Sequence, residues 1–308
     1  MEVVKSVYTK PVGEDIRGLK NSTWLRQLSP YFYILPAGFL FCLIYLYPLT
    51  EAIRFSFSKA TLLGFVSYVG FDNYLGLLTP EFGSTLARTG ILVIVCVPGI
   101  IILSLIGALL LNQDLKLRGL LRALVLVPWL IPENLVGVIW GWFLHPWYGI
   151  ANGLLLRLRL LSTPIDFLSP SNAMLSVIMM RIWRGTPFAT VAILGALQSV
   201  PQELFEAAEL DGAGPLQKLL FVTIPSIRPI LSAVTLIMVT WTVIIFDMIY
   251  ALTGGGPLNV TSVLSIAIYK KAFLSNDLGT ASAMAVIGLI ILLIVNYAYF
   301  KLERREAS

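Results

Sequence analysis

The chain has 308 residues, of which 57% are hydrophobic and only 13% charged, with a formal net charge of +5. Its mean hydropathy of +0.84 goes with an apolar content well above the roughly 45–50% of soluble domains, which excludes a water-soluble fold. The basic excess does not mark a nucleic-acid binder. The Lys and Arg residues gather in the tails and at the ends of apolar runs, where positive charge orients a membrane protein.

Residues 1–29 are polar without an apolar core, so they are expected to form a cytoplasmic tail and not a cleavable signal peptide. Six apolar runs follow, at 31–50, 86–111, 120–144, 173–200, 230–252 and 280–300. Each is close to the ~20 residues that cross the hydrocarbon, and a backbone in lipid must satisfy its own hydrogen bonds, so all six are predicted to be helices. The alternating pattern of outer-membrane barrel strands is absent. The expected architecture is an all-α polytopic membrane protein with six transmembrane helices, a transmembrane domain over 30–302 and a cytoplasmic tail at 303–308. With the N-terminus inside, the inward segments hold Lys5, Lys10, Arg17, Lys20, Arg26, Lys116, Arg118, Arg122, Lys218, Arg228, Lys301, Arg304 and Arg305. These are more than half of the 22 basic residues, which predicts that both termini are cytoplasmic.

Several chemistries are unsupported. Cys42 and Cys96 lie inside apolar runs, where free Cys packs as a small hydrophobe. His145 is the only histidine and by itself builds no metal site. Gly254, Gly255, Gly256 and Pro257 lack the downstream Lys-Ser/Thr of a phosphate loop, so the chain is not itself a P-loop ATPase. An intramembrane enzyme would need paired catalytic groups, whereas Asp247 is the only aspartate in an apolar run. A secondary transporter would be expected to show internal repeats and interrupted helices around a midplane ion site, and no repeat of fixed period is visible.

Polar residues at membrane depth are costly and usually face a bundle interior or a water-filled path. Glu133, Arg181, Arg184 and Asp247 are the candidates, with Arg184 and Asp247 placed to pair across the fourth and fifth spans or to line a path. Asn134, Trp140, Asn152, Trp183 and Tyr250 suit a carbohydrate, because aromatic faces bury the C–H side of a pyranose while amides bond its hydroxyls. Trp142 and Trp147 read better as an interfacial belt.

The most polar internal stretch is 200–229. Ser199 with Gln202 fits a capping box, Pro201 suits a first turn, Asp211-Gly212 supplies a stop, and Pro215 opens a second helix that Pro225 is expected to end. Ala207 and Ala208 leave the first helix small enough for another body to approach. Physics alone leaves two uses open, a docking surface or an amphipathic connector lying on the membrane with Leu204, Phe205, Leu216, Leu219 and Leu220 toward lipid.

The run "EAAELDGAGPLQKLLFVTIPSIRP" resembles the EAA loop of binding-protein-dependent ABC importer permeases, in Glu206, Ala207, Ala208, Gly212 and the ending at Val222 to Pro225. "GFDNY" at Gly70 to Tyr74, "WRGTPF" at Trp183 to Phe188 and "FDMIYALTGGGP" at Phe246 to Pro257 are similar to the carbohydrate-importing branch, the permeases for maltose, trehalose and glycerol phosphate. The likeness covers most of 30–302 and implies a type I ABC importer transmembrane-domain fold. It implies that Glu206, Ala207, Ala208, Asp211 and Gly212 form a coupling helix against an ATPase, and that Gly254 to Pro257 meet a binding protein. The implied partners are a second, different permease, two ATPase subunits holding ATP and Mg, an extracytoplasmic substrate-binding protein and membrane lipid. The implied cargo is a di- or oligosaccharide or glycosylated polyol, with a glycerol-phosphate-type substrate as the alternative. The chain itself is expected to bind no cofactor and to catalyse no bond chemistry, and its location is the cell inner membrane. Glu133, Asn134, Trp140, Trp183, Arg184, Asp247 and Tyr250 are the expected substrate path.

Overall fold

The computed structural model describes residues 33–114 and 116–306, with only the backbone of 302–306. The expected N-terminal tail and its basic residues lie outside the described residues, as do residues 307 and 308. Residues up to Ala52 form one unit and Ile53 onward a second. Among the described residues, five helices are long and apolar enough to span a membrane, six if one sharply bent pair is counted as a single span.

The first helix, α1, runs Tyr33–Ser56 with a π turn at Cys42–Leu46. A short antiparallel hairpin follows, β1 (Ser58–Thr61) and β2 (Gly64–Tyr68), with Ser58 opposite Tyr68 and a bulge between Lys59 and Ala60. No apolar periodicity announces it. The "GFDNY" stretch holds it in place: Gly70 takes a positive φ of 59°, α2 (Asp72–Gly76) begins, and Asn73 Nδ2 donates to Ser56 O and Ser58 O at 2.9 Å each. Next comes α3 (Pro80–Leu111), where Thr79 accepts the Phe82 N–H and Pro80 fills a position that needs no donor.

The third apolar run is not one helix. It forms α4 (Arg118–Leu130) and α5 (Glu133–Phe143), bent by 94°. Pro132 supplies no N–H and forces Ile131 into extended backbone at φ −71°, ψ 131°, so the helix ends there and restarts. A short α6 (Ile150–Arg157) leads to α7 (Ala173–Leu197), which packs along α3 through buried Leu92, Cys96 and Ile100 against Val177 and Met180. Ser104 Oγ reaches across to Thr186 O at 3.0 Å.

After α8 (Gln202–Leu210), α9 runs Pro215–Val243 through a π turn at Leu219–Thr223. The fifth span, expected at 230–252 as a single helix, stops at Val243 and restarts as α10 (Asp247–Thr253). Thr242, Val243, Ile244 and Ile245 are consecutive β-branched residues with weak helix preference, while Asp247 favours a new helix N-terminus. The Ile245 carbonyl freed by the break accepts the Ser265 hydroxyl. That serine lies on α11 (Leu264–Tyr269), which continues as a π turn at Lys270–Leu274 before α12 (Leu278–Glu306).

The two restarted half-helices pack on each other. A Cβ on Gly137 of α5 would lie 2.5 Å from Met248 O and 2.7 Å from Ala251 Cβ of α10, so only glycine allows this approach. Gly137→Val is therefore expected to destabilise the folded chain by about 1–3 kcal/mol through overpacking. Gly141→Ala, whose new methyl would meet Leu252 at an ordinary 3.8 Å, should be neutral. Thermal unfolding of both variants in detergent checks this, and equal midpoints would disprove the close-packing account.

Candidate functional site

Three groups of residues carry the functional candidates. The first is the helix–turn–helix of α8 and α9. Its start is set by Pro201 without a side-chain cap, and Ser199 Oγ donates back to Ala196 O at 2.7 Å, so the expected capping box does not form. Its turn is as expected. Gly212 has φ +77° and donates to Glu209 O at 3.0 Å, while Ala213 N–H reaches Ala208 O at 2.9 Å. Gly214 N–H donates to Gln217 Oε1 at 2.8 Å, Pro215 opens α9, and Lys218 bonds Glu209 across the turn. Pro225 does not end the helix, because it falls in the first turn of the regular segment Ile224–Val243, just after the π turn.

Glu206, Ala207, Asp211 and Gly212 are exposed and Ala208 is half-buried, so the predicted docking residues present a surface. Beside them lies one the sequence did not single out: Leu210, 90% exposed at the end of α8. An apolar side chain so exposed at the tip of a loop suits an interface.

The second group surrounds the two breaks. Glu133 and Asn134 are the first residues of α5, both exposed, and Asn134 Oδ1 accepts the Leu135 N–H at 2.8 Å. Glu133, Arg181, Arg184, Trp129, Trp241 and Met248 line a cavity of about 20 Å³. The expected pairing of Arg184 with Asp247 is therefore corrected. The carboxylate within electrostatic reach of Arg184 is Glu133, brought there by the 94° bend, and no ion pair joins Arg184 to Asp247 among the described residues. Asp247 instead stands exposed at the N-terminus of α10, where the helix dipole favours a negative charge.

Trp140 and Trp183 meet edge to face at 5.9 Å. Tyr250 belongs elsewhere, in a ladder with Phe246 at 5.1 Å and Tyr269 at 4.9 Å, and Tyr269 in turn touches Phe273 at 5.1 Å. The path candidates thus divide into a charged cavity holding Glu133 and Arg184, a tryptophan pair outside its lining, and an aromatic ladder beside Asp247. Tyr269 and Phe273 are additions that sequence spacing could not supply. Asn152 leaves the set: its Nδ2 donates to Pro146 O and Ile165 O, and its Oδ1 accepts the Ile165 N–H, so a buried loop consumes it. Trp142 and Trp147 are exposed, in keeping with a belt. His145 stacks on Tyr148 at 3.4 Å.

The third group is the glycine loop after α10. Gly254 and Gly255 have φ of 58° and 86°, whereas Gly256 does not take a positive φ and is joined to Pro257 by a cis peptide. Thr261, fully buried, shares a hydrogen bond with Thr253 at 2.7 Å and donates to Gly256 O at 2.8 Å, which fixes the loop. Beside it Arg88, Asn259, Lys270, Lys271 and Thr280 contribute to a polar cleft of about 430 Å³.

Broken spans packed on each other and a stapled helix–turn–helix at one end define an integral membrane translocation subunit. The chain belongs to the binding-protein-dependent transport system inner membrane component family, whose model matches residues 75–308. It is 34% identical over 284 residues to the sulfoquinovosyl glycerol transport system permease protein of Agrobacterium fabrum, covering 91% of this chain and 92% of that one. It is also 34% identical to the trehalose/maltose transport system permease protein of Thermococcus litoralis, covering 77% of this chain and 80% of the relative. Its fold matches a chain of a bacterial alginate ABC transporter with a TM-score of 0.78 at 21% identity, covering 92% of this chain and 97% of the other. Interrupted spans, expected above of a secondary transporter, thus occur here in a different class.

Asp277 pairs with the cleft residue Lys271 at 3.3 Å and accepts the Thr280 N–H at 3.0 Å. Partial burial opposes its ionisation, but the bonds from Thr280 and the Lys271 charge outweigh this and hold the carboxyl below its usual value. A depressed folded-state pKa contributes stability above the unfolded value of about 3.9 that is lost as pH falls through the folded one. The stability difference between the native chain and Asp277→Asn should therefore be constant above about pH 5 and shrink toward pH 3. Unfolding midpoints at these pH values check this, and a constant difference would refute it.

Proposed function

We propose that this chain is one of two permease subunits of an ATP-driven importer that takes up a sugar or sugar derivative delivered by a binding protein. The observation that carries the reading is the helix–turn–helix built around Gly212, exposed and internally stapled, in a chain of this family. The names of the two relatives support a carbohydrate cargo, and they favour it over a glycerol-phosphate substrate. The alginate transporter, described with an alginate-bound periplasmic protein and as an importer of an acidic polysaccharide, supports a binding protein as donor.

In this reading the α8–α9 turn faces the cytoplasm, both termini lie on that side, and Glu206, Ala207, Ala208, Asp211 and Gly212 seat in an ATPase subunit that carries ATP and Mg. Leu210 joins that contact. The glycine loop and the cleft beside it then face outward toward the binding protein. Nucleotide and loaded binding protein favour one state of the spans by differential affinity, and the cavity alternates between the two sides.

Gly212 tests the coupling. No atom lies within 4 Å of a Cβ placed there, so a side chain fits, but its φ of +77° strains any β-branched residue. In the assembled transporter, Gly212→Val should leave assembly intact and lower binding-protein-stimulated ATP hydrolysis by about tenfold or more. Gly195→Ala, also in open space but in regular helix, should behave as the native chain. Full stimulation in Gly212→Val would remove the coupling role.

A further inference from the structure

The charged cavity at the broken third span holds more positive charge than its surroundings use. Arg181 and Arg184 stand one turn apart on α7, and Glu133 is the one carboxylate lining the cavity with them. Arg181 is only 3% exposed, its Nη2 faces the Met238 thioether at 3.9 Å, and the Nε atoms of both arginines are buried without a hydrogen-bond partner. A guanidinium carries five N–H donors, and leaving them unmet away from water is costly. A tether between α5 and α7 would need one arginine for one carboxylate. The second leaves a net positive charge.

The neighbourhood is built to keep that charge. Arg181 Nη1 packs over Gly185, within 2.6 Å of where a Cβ would stand. Glu133 opens α5 after the break, so the amides of the α5 N-terminus add positive potential to the same region. Trp129 and Trp241 line the same cavity. Glu133 is exposed and Arg184 half-buried, so the group is reached from one side, and a cavity of about 20 Å³ accepts one oxygen-sized atom.

From this we infer that Arg181 and Arg184 form an oxyanion-recognition element in the path, and that the cargo is an acidic sugar, one bearing a carboxylate or comparable anionic group. The inference rests on the sugar-importer reading. The guanidiniums supply charge-assisted bonds to the anionic oxygens, the tryptophans cover the apolar side of the ring, and Glu133 limits affinity so that the cargo is released.

The test uses the purified complete transporter, titrated with glucuronate, with glucose and with inorganic sulfate, and read by intrinsic tryptophan fluorescence and by the unfolding midpoint. Glucuronate should reach half-saturation at about tenfold lower concentration than glucose, the scale of one charge-assisted hydrogen bond. Arg184→Gln should erase the preference and Arg184→Lys should retain most of it. Glu133→Gln should sharpen it, an opposite sign that a merely structural pair would not give, since breaking such a pair from either side would lower the midpoint and leave the ratio unchanged. Equal responses to glucose and glucuronate, or a preference surviving in Arg184→Gln, would overturn the inference while leaving the sugar reading in place. Sulfate matching glucuronate would assign the site to free anions and overturn it. Response to neither sugar would overturn both readings.

Discussion

A chain in lipid must satisfy its own backbone, and the rest of this structure follows from how two spans break without violating that demand. Each break frees carbonyl and amide groups that no water in the hydrocarbon can meet. In the fifth span the Ile245 carbonyl is taken by Ser265, and the restarted helix α10 is covered by the restarted helix α5. Gly137 permits that cover by letting the two backbones approach. Two interruptions that would each be unfavourable alone are thus held together by one contact. Their N-termini, carrying Glu133 and Asp247, come to line the functional region as a result.

The same geometry links the ends of the molecule. α7 ends at Leu197 and α8 begins at Gln202 after a short turn, while α9 leaves directly from the turn around Gly212, so the helix–turn–helix joins two spans. From Arg184 to Leu197 is roughly 20 Å of continuous helix at 1.5 Å per residue. Pro187 lies within that stretch, at a position where a helix loses one backbone hydrogen bond. On α9 the π turn at Leu219–Thr223 provides a comparable place for adjustment.

Much of this was legible in the sequence where the signal is local. Apolar run lengths announced the spans, Gly212 announced its turn, and Gly254 and Gly255 announced theirs, because one residue type fixes each conformation. Pro132 was equally local, yet the apolar run around it reads as continuous, and hydropathy is blind to a bend. Pro225 misled in the opposite sense. A proline within the first turn of a regular segment is harmless, and only the π turn before it places Pro225 there. The hairpin at Ser58–Tyr68 carries a mixed pattern and is held largely by Asn73 side-chain bonds, which no periodicity reports.

The pairing of charges shows most clearly why the site exceeded the sequence. Arg184 with Asp247 is the natural guess if both spans are straight, since helical spans bring facing residues together at similar depth. Breaking the third span swings Glu133 toward α7, and breaking the fifth turns Asp247 into the first residue of a new helix with its dipole as partner. One carboxylate comes to share a cavity with the arginines and the other does not, through backbone geometry alone. Asn152 follows the same logic, because an amide that looks free in a list of residues is consumed once the chain folds a loop around it. Where function depends on which buried group remains unmet, the decisive quantity is the difference between donors offered and acceptors reached. That difference exists only after the helices have been placed.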